Sequence, residues 1–203
     1  MPPIVGFDLD MTLIDARPGM ARVIDQMARE TGLPLDGAYF AAHLGPPLDL
    51  SFRNFGVPEA LIPGLVERYR ELYPDIVVPS TVPLPGAAEA ITAVRAAGGR
   101  SIVVTAKIRK HALLHLDILG WPVDEVVGGL WAEGKGEALR ERHATIYVGD
   151  HIGDMIGART AAAVGVGVLT GPCDEQELRD AGAEVILPDL TVFPAWLAGS
   201  VSA

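Results

Sequence analysis

The stretch FDLDMTLID at residues 7–15 decides the fold, because it continues the apolar run IVGF at residues 4–7. A short, continuous apolar run of this kind indicates a strand that is buried on both faces of a parallel sheet. Asp8 and Asp10 are two residues apart, so on an extended chain both side chains point to one face at the carboxyl end of this strand. Open α/β sheets bind their ligands at those ends. The pair therefore marks a candidate site, with a polar loop in which one Asp caps a turn as the simpler alternative.

The rest of the chain repeats this strand pattern. Further short apolar runs lie at residues 101–104, 125–127, 145–148, 164–168 and 184–187. Helical patterns separate most of them, at residues 87–97, 109–119, 135–141, 154–163 and 174–181. This alternation is typical of an α/β protein with a doubly wound, Rossmann-like parallel sheet, and we predict that fold class.

One long stretch interrupts the alternation. Between the first and second strands no internal strand is apparent, and the gap far exceeds an ordinary βα connection. Apolar residues within 20–27 and again within 65–73 recur at helical spacing, which predicts amphipathic helices. We therefore predict an α-helical domain over residues 18–80, inserted into an α/β core formed by residues 1–17 and 81–203.

Composition narrows the classes of function. Of the 203 residues, 49% are hydrophobic, which excludes a disordered chain, and the formal net charge is −10 at pH 7. An acidic surface repels nucleic acid and anionic lipid, so we expect neither as a partner. The lone Cys173 cannot form an internal disulfide, and neither a signal peptide nor an apolar run of membrane-spanning length is apparent. We expect a cytoplasmic protein, and its oligomeric state stays open.

A second acidic stretch, VGDHIGD at residues 148–154, follows the strand predicted at 145–148. Asp150 comes directly after that strand, so it is expected at the same sheet edge as Asp8. Asp154 falls where a helix begins, and an N-cap is the simplest interpretation of it. Carboxylates that converge from two strand ends suit a hard, oxygen-seeking cation such as Mg²⁺.

Two further residues supply groups that could bind an anion. Thr105 ends the strand predicted at 101–104, and Lys135 begins a helix within EGKGEAL at residues 133–139. A lysine and a hydroxyl that face one phosphoryl group would stabilise its developing charge. A solvated surface lysine is the alternative interpretation of Lys135 taken alone.

Together these stretches resemble, in order, the motifs of the haloacid dehalogenase (HAD) superfamily of aspartyl-phosphate phosphatases. FDLDMTLID resembles its DxDxT motif, VVTA at 103–106 its strand ending in Ser or Thr, Lys135 its third motif, and VGDHIGD its GDxxxD motif. The helical insert occupies the place where this superfamily carries a C1-type cap domain. HLGPPL at 43–48, PLPGAAEAI at 83–91 and AGAEVIL at 181–187 are similar to the phosphoglycolate-phosphatase-like branch.

The resemblance implies a Mg²⁺-dependent phosphatase that acts on a small phosphorylated metabolite. Asp8 would be the nucleophile that forms an aspartyl phosphate, and Asp10 the general acid and base. Asp8, the backbone carbonyl of Asp10, and Asp150 would hold Mg²⁺, with Asp154 as a further candidate ligand. Thr105 would act beside these residues as a catalytic group that binds the phosphoryl oxygens, together with Lys135.

The resemblance also implies secondary contacts. The amides of Met11 and Ala106 would bind phosphoryl oxygens as well. Met11 stands where the family usually has Gly, which predicts a strained turn, and Ala106 replaces a common Asn. Arg17, His43 and Arg53 lie in or near the insert and are candidates for contacting the leaving group, with solvated or packing roles as the alternative.

Three alternatives remain at this stage. One is a phosphomutase of the same superfamily, which returns the phosphoryl group to a sugar. Another is a catalytically inactive HAD-fold binding or regulatory protein, which retention of the charged motif residues disfavours. A P-loop at residues 129–136 is not among these alternatives, because Gly136 stands where that motif needs the hydroxyl of Ser or Thr. His111 and His115 have the i, i+4 spacing of zinc ligands without the Glu of HExxH, which makes a zinc site the least favoured alternative.

Overall fold

The computed structural model describes residues 2–201 of the chain. The strands are β1 (Ile4–Phe7), β2 (Ile14–Asp15), β3 (Val82–Pro83), β4 (Arg100–Thr105), β5 (Glu125–Gly128), β6 (Ile146–Gly149), β7 (Val164–Val168) and β8 (Val185–Leu187). The α-helices are α1 (Arg17–Thr31), α2 (Gly37–Ala42), α3 (Leu48–Asn54), α4 (Ile62–Ile76), α5 (Ala87–Ala96), α6 (Arg109–Leu119), α7 (Glu133–Glu141), α8 (Ile152–Ala161), α9 (Glu175–Ala181) and α10 (Phe193–Val201). Short 3₁₀ helices lie at Glu59–Leu61, Val78–Ser80 and Leu190–Val192. Within these described ranges every helix is too short or too polar to cross a membrane.

Six strands form one parallel sheet in the spatial order β5–β4–β1–β6–β7–β8. β1 pairs with β4 on one side and with β6 on the other. The chain builds one half of the sheet with β4 and β5 and then crosses β1 to build the other half. Such a reversal of strand order creates a crevice at the carboxyl ends of the strands, where ligands bind. The predicted α/β, Rossmann-like parallel sheet is confirmed.

β1 is buried between helices on both faces of the sheet. Phe7 is fully buried and packs edge-on against Phe193 of α10, with ring centroids 5.5 Å apart. Gly6 points to the opposite face, where a Cβ atom would lie 2.5 Å from Leu139 Cδ2 of α7. The missing side chain therefore lets α7 pack directly on the strand that leads to Asp8.

A second glycine brings α7 and α8 together. A Cβ atom on Gly136 would lie 2.4 Å from Thr160 Cβ and 2.7 Å from the Gly157 carbonyl oxygen. The two helix backbones can approach this closely only because position 136 has no side chain. The contact matters for the site, because α7 carries Lys135 and α8 carries Asp154.

The chain divides into two compact units. The core unit comprises Met1–Ile14 and Pro83–Ala203 and contains the six-stranded sheet, and the helical unit comprises Asp15–Val82. The sequence prediction placed the insert at residues 18–80. That this unit serves as a substrate-selecting cap stays a prediction.

The helical unit has its own apolar core. The predicted apolar face of α1 is buried and consists of Met20, Val23, Ile24 and Met27. α4 contributes Leu65, Tyr69 and Tyr73 to the buried residues. On the surface, Arg68 of α4 donates hydrogen bonds of 2.9 Å to both carboxylate oxygens of Glu30 in α1. This exposed ion pair contributes little to stability, which depends mainly on the apolar faces.

The short strands β2 and β3 were missed by the sequence analysis. They pair with each other as a separate two-stranded sheet, where the chain passes out of the core unit and returns to it. Each strand has only two residues, too few to show the alternation by which strands are recognised. Both strands lie just outside residues 18–80, the stretch that was predicted to be helical.

We predict that Gly136→Ala destabilises the fold by about 1–3 kcal/mol, because the new methyl group overpacks the contact between α7 and α8. The matched control is Gly64→Ala in α4, where nothing lies within 4 Å of a Cβ atom. That substitution is expected to stabilise by up to about 1 kcal/mol through helix propensity. Urea unfolding of both variants measures the difference, and equal free energies of unfolding would contradict the prediction.

Candidate active site

Asp8 directly follows β1 and lies at the carboxyl edge of the sheet. Its N–H donates to the Val148 carbonyl oxygen at 2.8 Å, which continues the pairing of β1 with β6 beyond the strand. Asp150 directly follows β6, so neighbouring strand ends bring the two carboxylates together. The Asp8 side chain is 10% exposed and the Asp10 side chain is 20% exposed.

Asp8, Asp150 and Asp154 form a buried carboxylate cluster, in which one oxygen from each lies within 4.8 Å of the others. Burial raises the pKa of Asp8 to about 7; the ammonium of Lys135 opposes this rise and the charge of Asp154 adds to it. Burial, and then the charges of Asp154 and Asp8, also raise the pKa of Asp150. Three carboxylates this close repel each other unless a cation lies between them. All of their donor atoms are oxygens, which suit a hard divalent cation. The residues present therefore fit a divalent metal.

Lys135 lies within this cluster. Its Nζ donates to Asp8 Oδ1 at 2.8 Å and to Asp154 Oδ1 at 2.6 Å, and its side chain is only 2% exposed. Burial alone would lower the pKa of Lys135, but the charges of Asp154 and Asp8 outweigh burial and raise it above its usual value. The side chain is therefore a fixed positive charge beside the candidate nucleophile, and the solvated alternative is wrong.

Asp154 has a different local role from the predicted N-cap. His151 is the N-cap of α8, and Asp154 is the third helical residue, whose Oδ2 accepts from the His151 N–H at 3.1 Å. The predicted cap is therefore wrong in position, although Asp154 does complete a capping box. Its Oδ1 faces Lys135 and lies 3.1 Å from the Tyr147 hydroxyl. Both carboxylate oxygens thus have protein partners.

Tyr147 was not predicted from the sequence, because an aromatic residue within an apolar strand is normally interpreted as a residue of the hydrophobic core. Its hydroxyl oxygen lies 2.7 Å from the Val104 carbonyl oxygen, and the hydroxyl proton can be donated there or to Asp154. The ring also lies below Lys135, with Nζ 5.9 Å from its centroid. Tyr147 therefore supports both the ammonium and one carboxylate of the cluster.

Asp150 is positioned by two residues outside its own strand. The Thr12 hydroxyl donates to Asp150 Oδ1 at 2.8 Å, so the motif threonine orders the cluster. Gly171 lies so close that a Cβ atom on it would be 1.8 Å from Asp150 Oδ2. Gly149 leaves room for Asp154 in the same way, because a Cβ atom on Gly149 would lie 2.4 Å from Asp154 Cβ. Gly149 is the first glycine of the stretch compared with GDxxxD, whereas Gly171 was not singled out, since a glycine in an α/β loop has many possible causes.

The loop after Asp8 has the strained conformation that the missing family glycine predicted. Met11 adopts φ 61°, in the left-handed region, and its side chain is buried. Its N–H donates to the Ile14 carbonyl oxygen at 2.8 Å, and its carbonyl accepts from the Thr170 hydroxyl. The Met11 amide, which was predicted to bind a phosphoryl oxygen, is thus used within the loop. A contact of the Met11 amide with a phosphoryl oxygen stays a prediction.

The strand end at Thr105 brings a second lysine to the site. Thr105 is buried, and its Oγ1 accepts from the Lys107 N–H at 3.2 Å, which leaves the hydroxyl proton free to donate. Ala106 lies between them, and the substrate contact predicted for its amide stays a prediction. The Lys107 Nζ donates to Asp10 Oδ1 at 2.7 Å. Lys107 was not singled out from the sequence.

The remaining candidates lie in the helical unit and have partners there. Arg17 forms an ion pair with Asp15, with Nη2 and Oδ2 2.7 Å apart. His43 stacks on Tyr39 at a centroid distance of 4.0 Å. Arg53 forms exposed ion pairs with carboxylates of its own unit. A leaving-group role for Arg17, His43 and Arg53 stays a prediction.

His111 and His115 lie on the buried face of α6, and both interact with neighbouring groups. Burial lowers the pKa of His115 to about 3, so its ring is neutral. Across the residues that the structure describes, the aspartate cluster alone combines three His, Cys, Asp or Glu side chains at metal-binding distances. A zinc site at the histidine pair therefore lacks a third ligand.

We predict that a divalent cation stabilises the protein more at pH 8 than at pH 5. The pKa of Asp8 is raised from 3.8 to about 7, so the metal-free protein loses stability as the pH rises through about 7. A cation then replaces the lost protons, because it competes with them for the same oxygens. The rise in Tm on adding Mg²⁺ measures this, with Asp150→Asn as a variant in which the rise should shrink. An equal rise at both pH values would contradict the prediction.

We predict that Gly171→Ala weakens metal binding about 10- to 100-fold, because the methyl group must displace the Asp150 carboxylate. The backbone of Gly171 does not have a positive φ, so an alanine there introduces no backbone strain. Calorimetric titration with Mg²⁺ or Mn²⁺ measures the affinity. Gly199→Ala in α10, where nothing lies within 4 Å of a Cβ atom, is the matched control. Unchanged affinity in the position-171 variant would show that Asp150 does not hold the metal.

Comparisons with known proteins agree with this geometry. The family model of the haloacid dehalogenase-like hydrolases matches residues 5–168. A phosphoglycolate phosphatase of Caulobacter vibrioides is 26% identical over 94% of this chain and 88% of its own length. A phosphoglycolate phosphatase of Xylella fastidiosa is 31% identical, covering 84% of this chain and 81% of that one.

Solved structures show the same fold. The crystal structure of a predicted phosphatase from Clostridium acetobutylicum superposes with a TM-score of 0.86 at 22% identity, over 98% of this chain and 99% of that one. A haloacid dehalogenase-like hydrolase from Streptococcus pneumoniae has a TM-score of 0.83 at 21% identity, over 98% of each chain. With its carboxylate cluster, its buried lysine and its curated relatives, the chain belongs to the haloacid dehalogenase-like hydrolases, as a phosphatase similar to phosphoglycolate phosphatases.

Proposed function

We propose that the protein is a Mg²⁺-dependent phosphatase that hydrolyses a small phosphomonoester through an aspartyl phosphate on Asp8. The observation that carries this proposal is the position of Asp8 at the end of the central strand. There it touches the Lys135 ammonium at 2.8 Å and shares a buried cluster with Asp150 and Asp154. A carboxylate so placed combines a nucleophile with the positive charge that phosphoryl transfer needs.

The first half-reaction is an attack of an Asp8 oxygen on phosphorus. Lys135 favours the ionised, nucleophilic form of Asp8 and would also contact the phosphoryl oxygens as their charge develops. The Thr105 hydroxyl has a proton to donate to the same oxygens, and the Ala106 amide is proposed beside it. As the P–O bond to the leaving group breaks, Asp10 would give that oxygen a proton.

The second half-reaction releases phosphate. Asp10, now ionised, would take a proton from a water molecule that attacks the phosphorus of the aspartyl phosphate, and Asp8 departs as a carboxylate. The Asp10 side chain is more exposed than that of Asp8, so it has access to both leaving group and water. One residue thus serves as acid and then as base.

Asp8, Asp150 and the backbone carbonyl of Asp10 are proposed to hold Mg²⁺. When bound, this ion would neutralise the carboxylates and lower the repulsion of an incoming phosphate. Asp154 was a further candidate ligand, but both of its oxygens contact protein groups. We propose that it holds Lys135 and the start of α8 instead.

The substrate is proposed to be a small phosphorylated metabolite, and phosphoglycolate is the first to test. Its support is the name of curated relatives that are 26% and 31% identical over most of this chain. The net charge of −10 agrees with a small substrate in place of a polyanion. A cytoplasmic location is part of the same proposal. Arg17, His43 and Arg53 of the helical unit remain candidates for contacts with the leaving group.

We predict that Asp8→Asn lowers phosphate release by about 1,000-fold or more, because an amide cannot attack phosphorus. Asp10→Asn should slow the reaction and leave the aspartyl phosphate without its base. The intact mass after mixing with 4-nitrophenyl phosphate and Mg²⁺ should then show one added phosphoryl group in the Asp10 variant and none in the Asp8 variant.

The same experiment has clear contrary outcomes. Circular dichroism of both variants confirms that the fold is kept, and EDTA should stop turnover of the unaltered protein. Substantial turnover by the Asp8 variant would remove Asp8 as the nucleophile. Conversion of a sugar phosphate into its isomer, with no release of phosphate, would identify a phosphomutase. No turnover of any phosphomonoester would favour the inactive binding protein.

A further inference from the structure

Thr170 lies in the loop after β7, and the proposed chemistry does not use it. Its hydroxyl donates a hydrogen bond to the Met11 carbonyl oxygen, in the loop that follows β1. The Thr170 side of this bond is anchored to the sheet, because the Leu169 N–H donates to the Leu187 carbonyl oxygen of β8 at 3.1 Å. The bond therefore connects a fixed part of the core unit to the loop that carries site residues.

Met11 is the point in that loop that needs such support. With φ 61° it lies in the left-handed region, which is unfavourable for a residue that has a Cβ atom. The peptide before Met11 is held within the loop, since its N–H donates to the Ile14 carbonyl oxygen at 2.8 Å. The peptide after Met11 has its carbonyl oxygen on Thr170. Loss of the Thr170 hydroxyl therefore lets this second peptide rotate toward a more favourable backbone conformation.

The second peptide leads directly to Thr12. Thr12 is fully buried, and its hydroxyl donates to Asp150 Oδ1 at 2.8 Å. On the other side of this carboxylate, a Cβ atom on Gly171 would lie only 1.8 Å from Oδ2. Two pairs of consecutive residues, 11–12 and 170–171, thus surround the carboxylate, and the hydroxyl of Thr170 joins one pair to the other. The position of Asp150 depends on a closed chain of contacts.

We infer that Thr170 is a positioning residue that pre-organises the Asp150 carboxylate for Mg²⁺. It does so by holding the Met11 carbonyl, which in turn fixes the Thr12 hydroxyl on that carboxylate. The inference rests on the proposed function, since it needs Asp150 as a ligand of the metal. The Asp10 carbonyl belongs to the peptide before Met11, which is held separately. Thr170 therefore acts on one proposed ligand and not on the other.

The test is a double-mutant cycle on the affinity for Mg²⁺. Thr170→Val and Thr12→Val each replace a hydroxyl with a methyl group, and a double variant combines them. Calorimetric titration with Mg²⁺ gives the four affinities, and urea unfolding confirms that each variant is folded. Thr170→Ser keeps the hydroxyl. Thr92→Val is the matched control, because it removes a 2.8 Å hydrogen bond from a threonine hydroxyl to a backbone carbonyl at an exposed position of α5.

We expect Thr170→Val to weaken Mg²⁺ binding about 10-fold, as other changes to the surroundings of a metal ligand do. In the Thr12→Val background the same substitution should weaken binding less than about 3-fold, because the link to Asp150 is already broken. Thr170→Ser should stay within about 3-fold of the unaltered protein, since it keeps the hydrogen bond. Thr92→Val should match the unaltered protein.

Turnover of 4-nitrophenyl phosphate provides a second measurement. Thr170→Val should raise the Mg²⁺ concentration that gives the half-maximal rate by the same factor of about 10. Because Asp8 and Asp10 are unaltered, kcat at saturating Mg²⁺ should stay close to that of the unaltered protein. A general weakening of the fold would not divide the effect in this way.

Three results would overturn the inference. The first is an unchanged affinity of Thr170→Val for Mg²⁺. The second is a loss that is equally large with and without the Thr12 hydroxyl, which would show that Thr170 does not act through Thr12. The third is a Thr170→Ser variant that binds as weakly as Thr170→Val, which would assign the effect to packing of the methyl group.

Failure of the proposed function is distinct from these results. A protein that binds Mg²⁺ but hydrolyses no phosphomonoester would refute the proposed reaction, and the affinities of the cycle would still decide the role of Thr170. If Thr170→Val does not fold, Thr170→Ala takes its place in the cycle, and the comparison with Thr170→Ser still decides.

Discussion

The site depends on one buried ammonium group that lies between two buried carboxylates. Lys135 contacts Asp8 and Asp154, and these belong to a cluster that Asp150 completes. Three ionised aspartates in such a place would repel each other and lack solvation, at a cost of several kcal/mol. When Lys135 and the three aspartates are all ionised, two negative charges remain uncompensated, and one divalent cation would neutralise them. The proposed nucleophile, the proposed metal site and the proposed phosphate site therefore share one balance of charges.

Backbone packing makes that balance possible. Lys135 reaches Asp8 because Gly6 lets α7 lie directly on β1, and it reaches Asp154 because Gly136 lets α7 and α8 touch. The charged groups that define the chemistry are thus held by positions that have no side chain at all. A side chain at Gly6 or Gly136 would move the helices apart and so separate the charged groups, although the charged residues themselves stay the same.

Much of the core was predictable from the sequence, for physical reasons that differ between elements. Short apolar runs between helical patterns predict a parallel sheet, and the strand ends then bring Asp8 and Asp150 to one edge. The two-residue strands β2 and β3 carry no such pattern. Lys107, Tyr147 and Gly171 were missed because their importance comes from contacts between distant segments, which no local spacing reveals. The roles of the individual site residues stay predictions until they are tested.

The pairing of β2 with β3 has an evolutionary consequence. The chain leaves the core unit and returns to it at two adjacent strands, so the intervening segment is a loop whose ends already meet. Changing the length of such a loop costs little closure entropy. The cluster around Asp8 lies wholly in the core unit. Lineages could therefore replace or remodel the insert while the carboxylate cluster of the core unit is inherited unchanged.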